Sequence, residues 1–301
     1  MSAEEVSPRT ATFSIVGFDP ATEELGVAVQ SKFLAAGAIV PHIEAGVGAV
    51  ATQAMANPAY GPEGLELLAE GLKPGEVIER LIADDEASAH RQVGIVDAAG
   101  RSATFTGEEC MEWAGGITGV NYAAQGNILE NRETVTAMAR TFQESEGSLA
   151  ERLLASLFAA DEAGGDRRGK QSAALLVYKE DGGYGGLTDK YIDLRVDDSP
   201  RPIAKLEELL DLFQLYFVSQ EDVEMVPLEG ESLEEVQSLL SGFGYYEGEV
   251  DGEYDEEFER ALTDFYHQEN FEERVPEEQV IPADILDYLH QRVESRAQNS
   301  R

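Results

Sequence analysis

The chain has 301 residues and 43% hydrophobic content, enough for one large or two ordinary domains with real cores. Its 59 Asp and Glu against 22 Lys and Arg give a formal charge of −37, which repels a nucleic-acid backbone or an anionic membrane surface. The single Cys110 excludes an internal disulfide and a cysteine-based zinc cluster, and no run of ~18 apolar residues offers a membrane span.

Residues 1–11 read as a flexible extension. They hold Glu4 and Glu5 and no apolar stretch of the secretory kind, so a cytoplasmic protein in a reducing compartment is expected. Thr12 to Phe18 and Leu25 to Gln30 are β-rich runs joined by Asp19-Pro20-Ala21-Thr22, which predicts a hairpin. A third small apolar run spans Val47 to Ala51. Helices are expected from Pro62 through Leu65 and Leu68, and around Val77, Ile78, Leu81 and Ile82. Val93 to Val96 and Ser102 to Phe105 predict a second hairpin around Asp97-Ala98-Ala99-Gly100. Val135, Met138 and Phe142, then Leu149 to Phe158, trace two more helices before the apolar strand Ala173 to Tyr178. Hairpins flanking helix pairs predict an α+β sheet sandwich covered by helices rather than a doubly wound parallel sheet.

After a helical stretch at 203–217, Val218 to Asp222 reads as a linker, giving domains at 12–218 and 219–301. The first 218 residues carry −18 and the last 83 carry −19, so the tail is far more acidic per residue. Only six of the bases are lysines, a balance that fits a halophilic protein in a salt-rich cytoplasm. In the tail, Leu233, Val236, Leu239 and Leu240 form one apolar stripe, with Ser232 and Glu235 at capping-box spacing. Phe258, Ala261, Leu262 and Phe265 form another, so two helices are expected around a glycine-rich turn. Asp251, Glu253 and Asp255 lack the closing Glu of a calcium loop and read as a solvated charge run.

The four histidines, at 42, 90, 267 and 290, are too scattered for a metal motif, and no nucleophile elbow is present. Gly115-Gly116 and Gly183 to Gly186 read as turns because neither fits a phosphate-binding fingerprint, so neither a metal nor a cofactor is expected. Two constellations stand out. Asp166, Arg167, Arg168, Lys170, Gln171 and Ser172 make a cationic loop in an acidic chain, either an ion-paired turn or a seat for an anionic substrate. Gln125-Gly126-Asn127 alternates amides at a strand end, either an ordinary polar turn or oxyanion donors. Gln30-Ser31-Lys32, Gln53 and Asn57 add polar groups at other strand ends.

Together, Thr12 to Val16, Gly26 to Phe33, Gly46 to Ala54, Asn57 to Pro62, Gln125 to Asn127, Gly164 to Ser172 and Asp193 to Asp198 resemble the DUF1028 family of the Ntn-hydrolase superfamily. The resemblance covers about residues 12 to 215 and implies a four-layer αββα sandwich. It also implies an N-terminal nucleophile whose own α-amino group is the base, because a free amine titrates near ~8. Thr12 is then the nucleophile, with Ser14 as the alternative, Lys32 as a nearby cation, and Gln125 and Asn127 as oxyanion donors. Asp166, Arg167, Arg168, Gln171 and Ser172 would bind the substrate. The sequence departs from the pattern in the eleven residues before Thr12, which must be removed to free that amine.

The tail resembles a peptidoglycan-binding-like domain. Three readings follow: a hydrolase of an amide-type bond in a small-molecule substrate, a non-catalytic ligand- or glycan-binding protein on the same scaffold, and a homo-oligomeric assembly protein. No nucleic acid, membrane or cofactor partner is expected.

Overall fold

The computed structural model describes residues 12–217, 223–276 and 278–299; the expected extension at 1–11 and linker at 218–222 lie outside the described residues. Packing divides the chain into two units that part between Leu209 and Leu210.

In the larger unit, β1 (Thr12–Asp19) and β2 (Glu24–Ser31) pair as the expected hairpin. With β7 (Gly115–Gly119), β8 (Tyr122–Asn127), β9 (Ser172–Tyr178) and β10 (Lys190–Val196) they form a six-stranded antiparallel sheet in the order β10-β9-β2-β1-β8-β7. A second sheet runs in sequence order through β3 (Pro41–Glu44), β4 (Gly48–Ala54), β5 (Arg91–Asp97) and β6 (Ser102–Thr106). The helices α1 (Tyr60–Ala69) and α2 (Pro74–Ala83) cover this sheet, while α3 (Glu133–Glu144) and α4 (Leu149–Glu162) cover the other. The result is a four-layer αββα sandwich.

Local chemistry sets these elements. Pro74 opens α2, where its missing N–H costs nothing. Ser148 caps α4 by accepting from Glu151 N, and Glu151 Oε2 accepts from Ser148 N at 2.8 Å. Val50, Val93 and Ile95 face α1 and α2 in one apolar cluster with Tyr60, Leu65, Leu68, Val77, Ile78 and Leu81. Gly115 and Gly116 lie in β7 rather than in the expected turn. A Cβ on Gly115 would come within 2.8 Å of the Trp113 ring and one on Gly116 within 2.6 Å of Thr104 in the other sheet, so these glycines mark close approach to neighbours rather than a bend.

The space between the sheets explains the position of the site. Along each strand alternate side chains point into it. At one end these are apolar: Val16 and Phe18, Leu25, Val27 and Val29, Ala49 and Ala51, Val96, Ala123, Ala174 and Leu176 form a single cluster. At the other end the same faces carry Thr12 and Ser14, Ser31, Gln53, Gln92, Gln125 and Asn127, and Ser172, all buried. Each of the strands β1, β2, β4, β5, β8 and β9 thus switches from hydrocarbon to hydrogen-bonding groups at the same end of the sandwich.

The helix α5 (Pro202–Phe217) contains the division between units. The smaller unit is mainly helical, with α6 (Glu231–Phe243), α7 (Glu256–Gln268) and α8 (Ala283–Asn299), and β11 (Met225–Pro227) paired to β12 (Val280–Pro282). The third helix and the two short strands add to the two helices expected. Leu233, Val236, Leu240, Phe258, Leu262, Phe265, Ile285 and Leu289 share its core. The expected capping box does not form. Gly230, at φ 55, occupies the N-cap, and Ser232 instead donates to the carbonyls of Pro227 and Glu229. In the acidic turn, Gln237 accepts from Asp251 N and Gly252 N, and Asp255 caps α7 by accepting from Phe258 N at 2.8 Å. Among the described residues no helix is long and apolar enough to cross a membrane.

Candidate active site

Thr12 sits at the polar end of β1, between Ser31 of β2 and Asn127 of β8 in the register of the sheet. Its Oγ1 lies 3.0 Å from Ser31 Oγ, and its side chain helps line a cavity of about 190 Å³. The remaining walls are mostly apolar, from Phe33, Ala36, Ile39, Val40, Met55 and Pro58, with Gln53 and Arg91 supplying polarity.

Behind Thr12 a chain of buried amides joins the two sheets. Gln53 Nε2 donates to Gln92 Oε1 at 2.8 Å and reaches the Thr12 carbonyl at 3.3 Å. Gln92 Oε1 also accepts from Asn127 Nδ2 at 3.0 Å, and Gln92 Nε2 donates to Gly126 O at 2.8 Å and Thr106 Oγ1 at 2.9 Å. Gln92 is therefore the node that orients both Gln53 and Asn127. Full pairing matters here, because an unpaired buried amide group costs on the order of 1–3 kcal/mol.

Arg91 fixes the cavity's outer wall. Its guanidinium donates to the Met55 carbonyl and pairs with Asp85 at 2.9 Å, while Tyr60 Oη donates to the same carboxylate at 2.8 Å. The Arg91 hydrogen bonds hold the Asp85 carboxyl well below the usual carboxylate range. Burial, reinforced by the bond to Asp85, pushes the Tyr60 phenol above its ordinary value. Ala54, which lines the cavity, has φ 67, and Ile128 at the end of β8 has φ 52, a region that β-branched residues rarely enter. Two left-handed residues flanking one threonine mark a place where backbone strain is tolerated around a cleft.

The expected site residues separate on this geometry. Thr12 and Asn127 both lie at the polar end, opposite each other in the register of β1 and β8. Ser14 does not reach a cavity wall: it is fully buried, donates to Gln53 Oε1 at 2.6 Å and accepts from Gln125 Nε2 at 2.7 Å. Gln125 Nε2 is committed to Ser14 Oγ and the Ser14 carbonyl, and its Oε1 packs where a Cβ on Gly94 would come within 1.9 Å. It has no N–H left for an oxyanion, so the structure gives it a bracing role. Lys32 is exposed and directs Nζ to the Lys170 carbonyl at 3.3 Å; the cation on the cavity wall is Arg91.

Much of the cationic loop is braced internally. Asp166 accepts from Lys32 N at 2.8 Å and Arg168 N at 2.9 Å and pairs with the Arg168 guanidinium at 3.2 Å. Gln171 Nε2 donates to Asp198 at 3.0 Å, and Ser172 Oγ donates to Phe33 O at 2.6 Å, seating the loop that carries Phe33. Arg167 is exposed, with its backbone N–H on Ile128 O at 3.1 Å. Arg91, Gln92 and Ser31 are the residues that sequence reading underrated. For Ser31 and Gln92 the signal is a polar residue on an inward strand face that is otherwise apolar; Arg91 lies on the opposite face of β5 and carries no such local signal.

The fold and site define an αββα sandwich with a threonine-headed polar cleft at one end of its central strands. A family model described as a family of unknown function, DUF1028, matches residues 12–206, and the chain belongs to that family. A second model, described as "Putative peptidoglycan binding domain", matches residues 216–289. The chain is similar to the crystal structure of a DUF1028 protein from Silicibacter pomeroyi, at 30% identity and a TM-score of 0.63. That match covers 74% of this chain and 89% of the other. No curated protein matches the chain.

Proposed function

We propose that the larger unit is an N-terminal-nucleophile hydrolase that cleaves an amide-type bond in a small molecule. The observation that carries this reading is the Thr12 hydroxyl, held 3.0 Å from Ser31 Oγ at the mouth of a preformed cavity and beside the amide of Asn127.

Removal of residues 1–11 frees the Thr12 α-amine. That amine accepts the proton of Oγ1 as the oxygen attacks the substrate carbonyl carbon. The negative charge forming on the carbonyl oxygen is met by Asn127 Nδ2, which directs one N–H to Gln92 and has a second to donate. The C–N bond then breaks, the amine leaves with the proton, and water hydrolyses the threonine ester to return the free hydroxyl. Arg167, exposed near the end of β8, supports contact with a substrate carboxylate, while Asp166 and Arg168 shape the loop that presents it. The family match of the smaller unit supports a separate glycan-holding role there. Retention of the full chain on isolated cell-wall material at high salt tests that role, and absence of retention refutes it.

The test of the hydrolase reading is a chain released from a cleavable leader so that it begins at Thr12. A β-lactone acylating probe should add one adduct by intact mass, mapped to Thr12, and none in Thr12→Ala. The form retaining residues 1–11 should remain unlabelled. Equal labelling of Thr12→Ala would refute Thr12 as nucleophile.

A further inference from the structure

A second cavity, of about 230 Å³, adjoins the first and shares Ala54 and Met55 with it. Asn127 and Ile128 form one wall, placing it beside the strand partner of Thr12. Its walls are tied together by backbone bonds: Met55 N to His90 O, Ile128 N to Met111 O, and Gly107 N to Arg91 O. Cys110 Sγ donates to Arg91 O at 3.3 Å, and burial pushes that thiol up, so the cysteine acts as a wall and not as a nucleophile. Ala54, Met55, Met111 and Ile128 make the lining largely hydrocarbon. At the cavity's polar side His90 Nε2 and Glu109 Oε2 stand 3.0 Å apart, Glu109 bearing the only carboxylate among the lining residues. Arg91, next to His90 in the chain, and Arg101 are already paired with Asp85 and Asp97.

We infer that this cavity receives an arm of the substrate made of a short alkyl chain ending in an ammonium or guanidinium group. The chain packs on Met55, Met111 and Ile128, and the cation meets Glu109. The substrate class is then an amide with an apolar group on one side of the scissile bond and a cationic alkyl group on the other, together with the carboxylate assigned to Arg167. This deepens the proposed hydrolase reading and rests on it only for the word substrate, since occupancy of the cavity can be read without turnover.

The probes are butylammonium, butanol and butyrate, added to the full chain and followed by NMR of the histidine ring protons. The chain supplies an internal control. His290 lies 3.3 Å from Glu235 in a pair of similar exposure but does not line this cavity. Butylammonium should shift the His90 signals with about fivefold higher affinity than butanol, while His290 stays still. Butyrate should shift neither. Glu109→Gln should abolish the preference, and Glu109→Lys should transfer it to butyrate. Equal response of His90 and His290, or unchanged preference in both variants, would overturn the inference. Labelling of Thr12 by the acylating probe is a separate readout, so failure of the subsite and failure of the hydrolase reading are distinguishable.

Discussion

Gln92→Leu removes the node of the amide chain while nearly preserving volume, so the effect comes from partners left unpaired rather than from a cavity. Gln92 is fully buried. Its loss strips the 3.0 Å bond from Asn127 Nδ2, the 2.8 Å bond from Gln53 Nε2 and the 2.8 Å bond to the Gly126 carbonyl; the 2.9 Å bond to Thr106 Oγ1 also goes, but that residue is half-buried and water can replace it. Gln53 keeps longer contacts at 3.3 and 3.5 Å, so it is only partly orphaned. Two orphaned groups and one partial one, at ~1–3 kcal/mol each, amount to about 3–5 kcal/mol, from which the apolar burial of Leu takes back ~1 kcal/mol. The expected net loss is about 2–4 kcal/mol. The single Trp113 lies in the larger unit, so its fluorescence in a urea titration reports that unit. With a slope of ~2 kcal/mol/M the midpoint should fall by about 1–2 M. Acylation of Thr12 should slow as well, because Asn127 loses the partner that orients it. A midpoint shift below ~0.3 M would refute the claim that this network holds the sheets in register at the site.

Two further outcomes follow from the same reasoning. Asp85 has its pKa depressed in the folded protein, so its contribution is complete above the ordinary Asp value of ~3.9 and is lost as pH falls below it. Asp85→Asn should therefore cost about 3 kcal/mol at pH 7 by orphaning Arg91, with the gap from the parent narrowing below pH ~4. Thermal unfolding followed by Trp113 at pH 7 and pH 3 checks this, and a gap independent of pH refutes it. In the smaller unit, Gln237→Leu frees Asp251 N and Gly252 N, which Gln237 Oε1 holds at 3.1 and 2.9 Å. Hydrogen exchange at these two amides should quicken markedly, with ~2 kcal/mol lost from that unit. Unchanged exchange would show that the turn holds its shape without the clamp.

β-rich runs bounded by turn residues, and the helical period, make most of the sandwich readable. The hairpins at Thr12 and Val93 form around the turns at Asp19 and Asp97, and the four covering helices follow their period of 3.6, where expected. β7 was missed because its glycines mimic a turn, and glycine reports the absence of a side chain without saying whether a bend or a close neighbour demands it. Lys32 was drawn to the site by its place at a strand end, yet alternation sends it out of the space into which Ser31 points. Arg91 was passed over because its role depends on Asp85 and on the Met55 carbonyl, one of them 36 residues away.

What the sequence determined by itself is which face each residue takes. Thr12, Ser14, Ser31, Gln53, Gln92, Gln125 and Asn127 all fall on inward positions because a strand reverses its side chains at every step. What only the tertiary structure decided is who meets whom. Ser14 reaches Gln53 across 39 positions of chain and Gln125 across 111, and a local pattern holds no information about such distances. The two sheets pack about 10 Å apart, close enough for Gln53 and Gln92 of one to meet Ser14 and Asn127 of the other. That meeting separates Thr12 and Asn127, which face the cleft, from Ser14 and Gln125, whose hydrogen bonds turn inward to hold the sheets together.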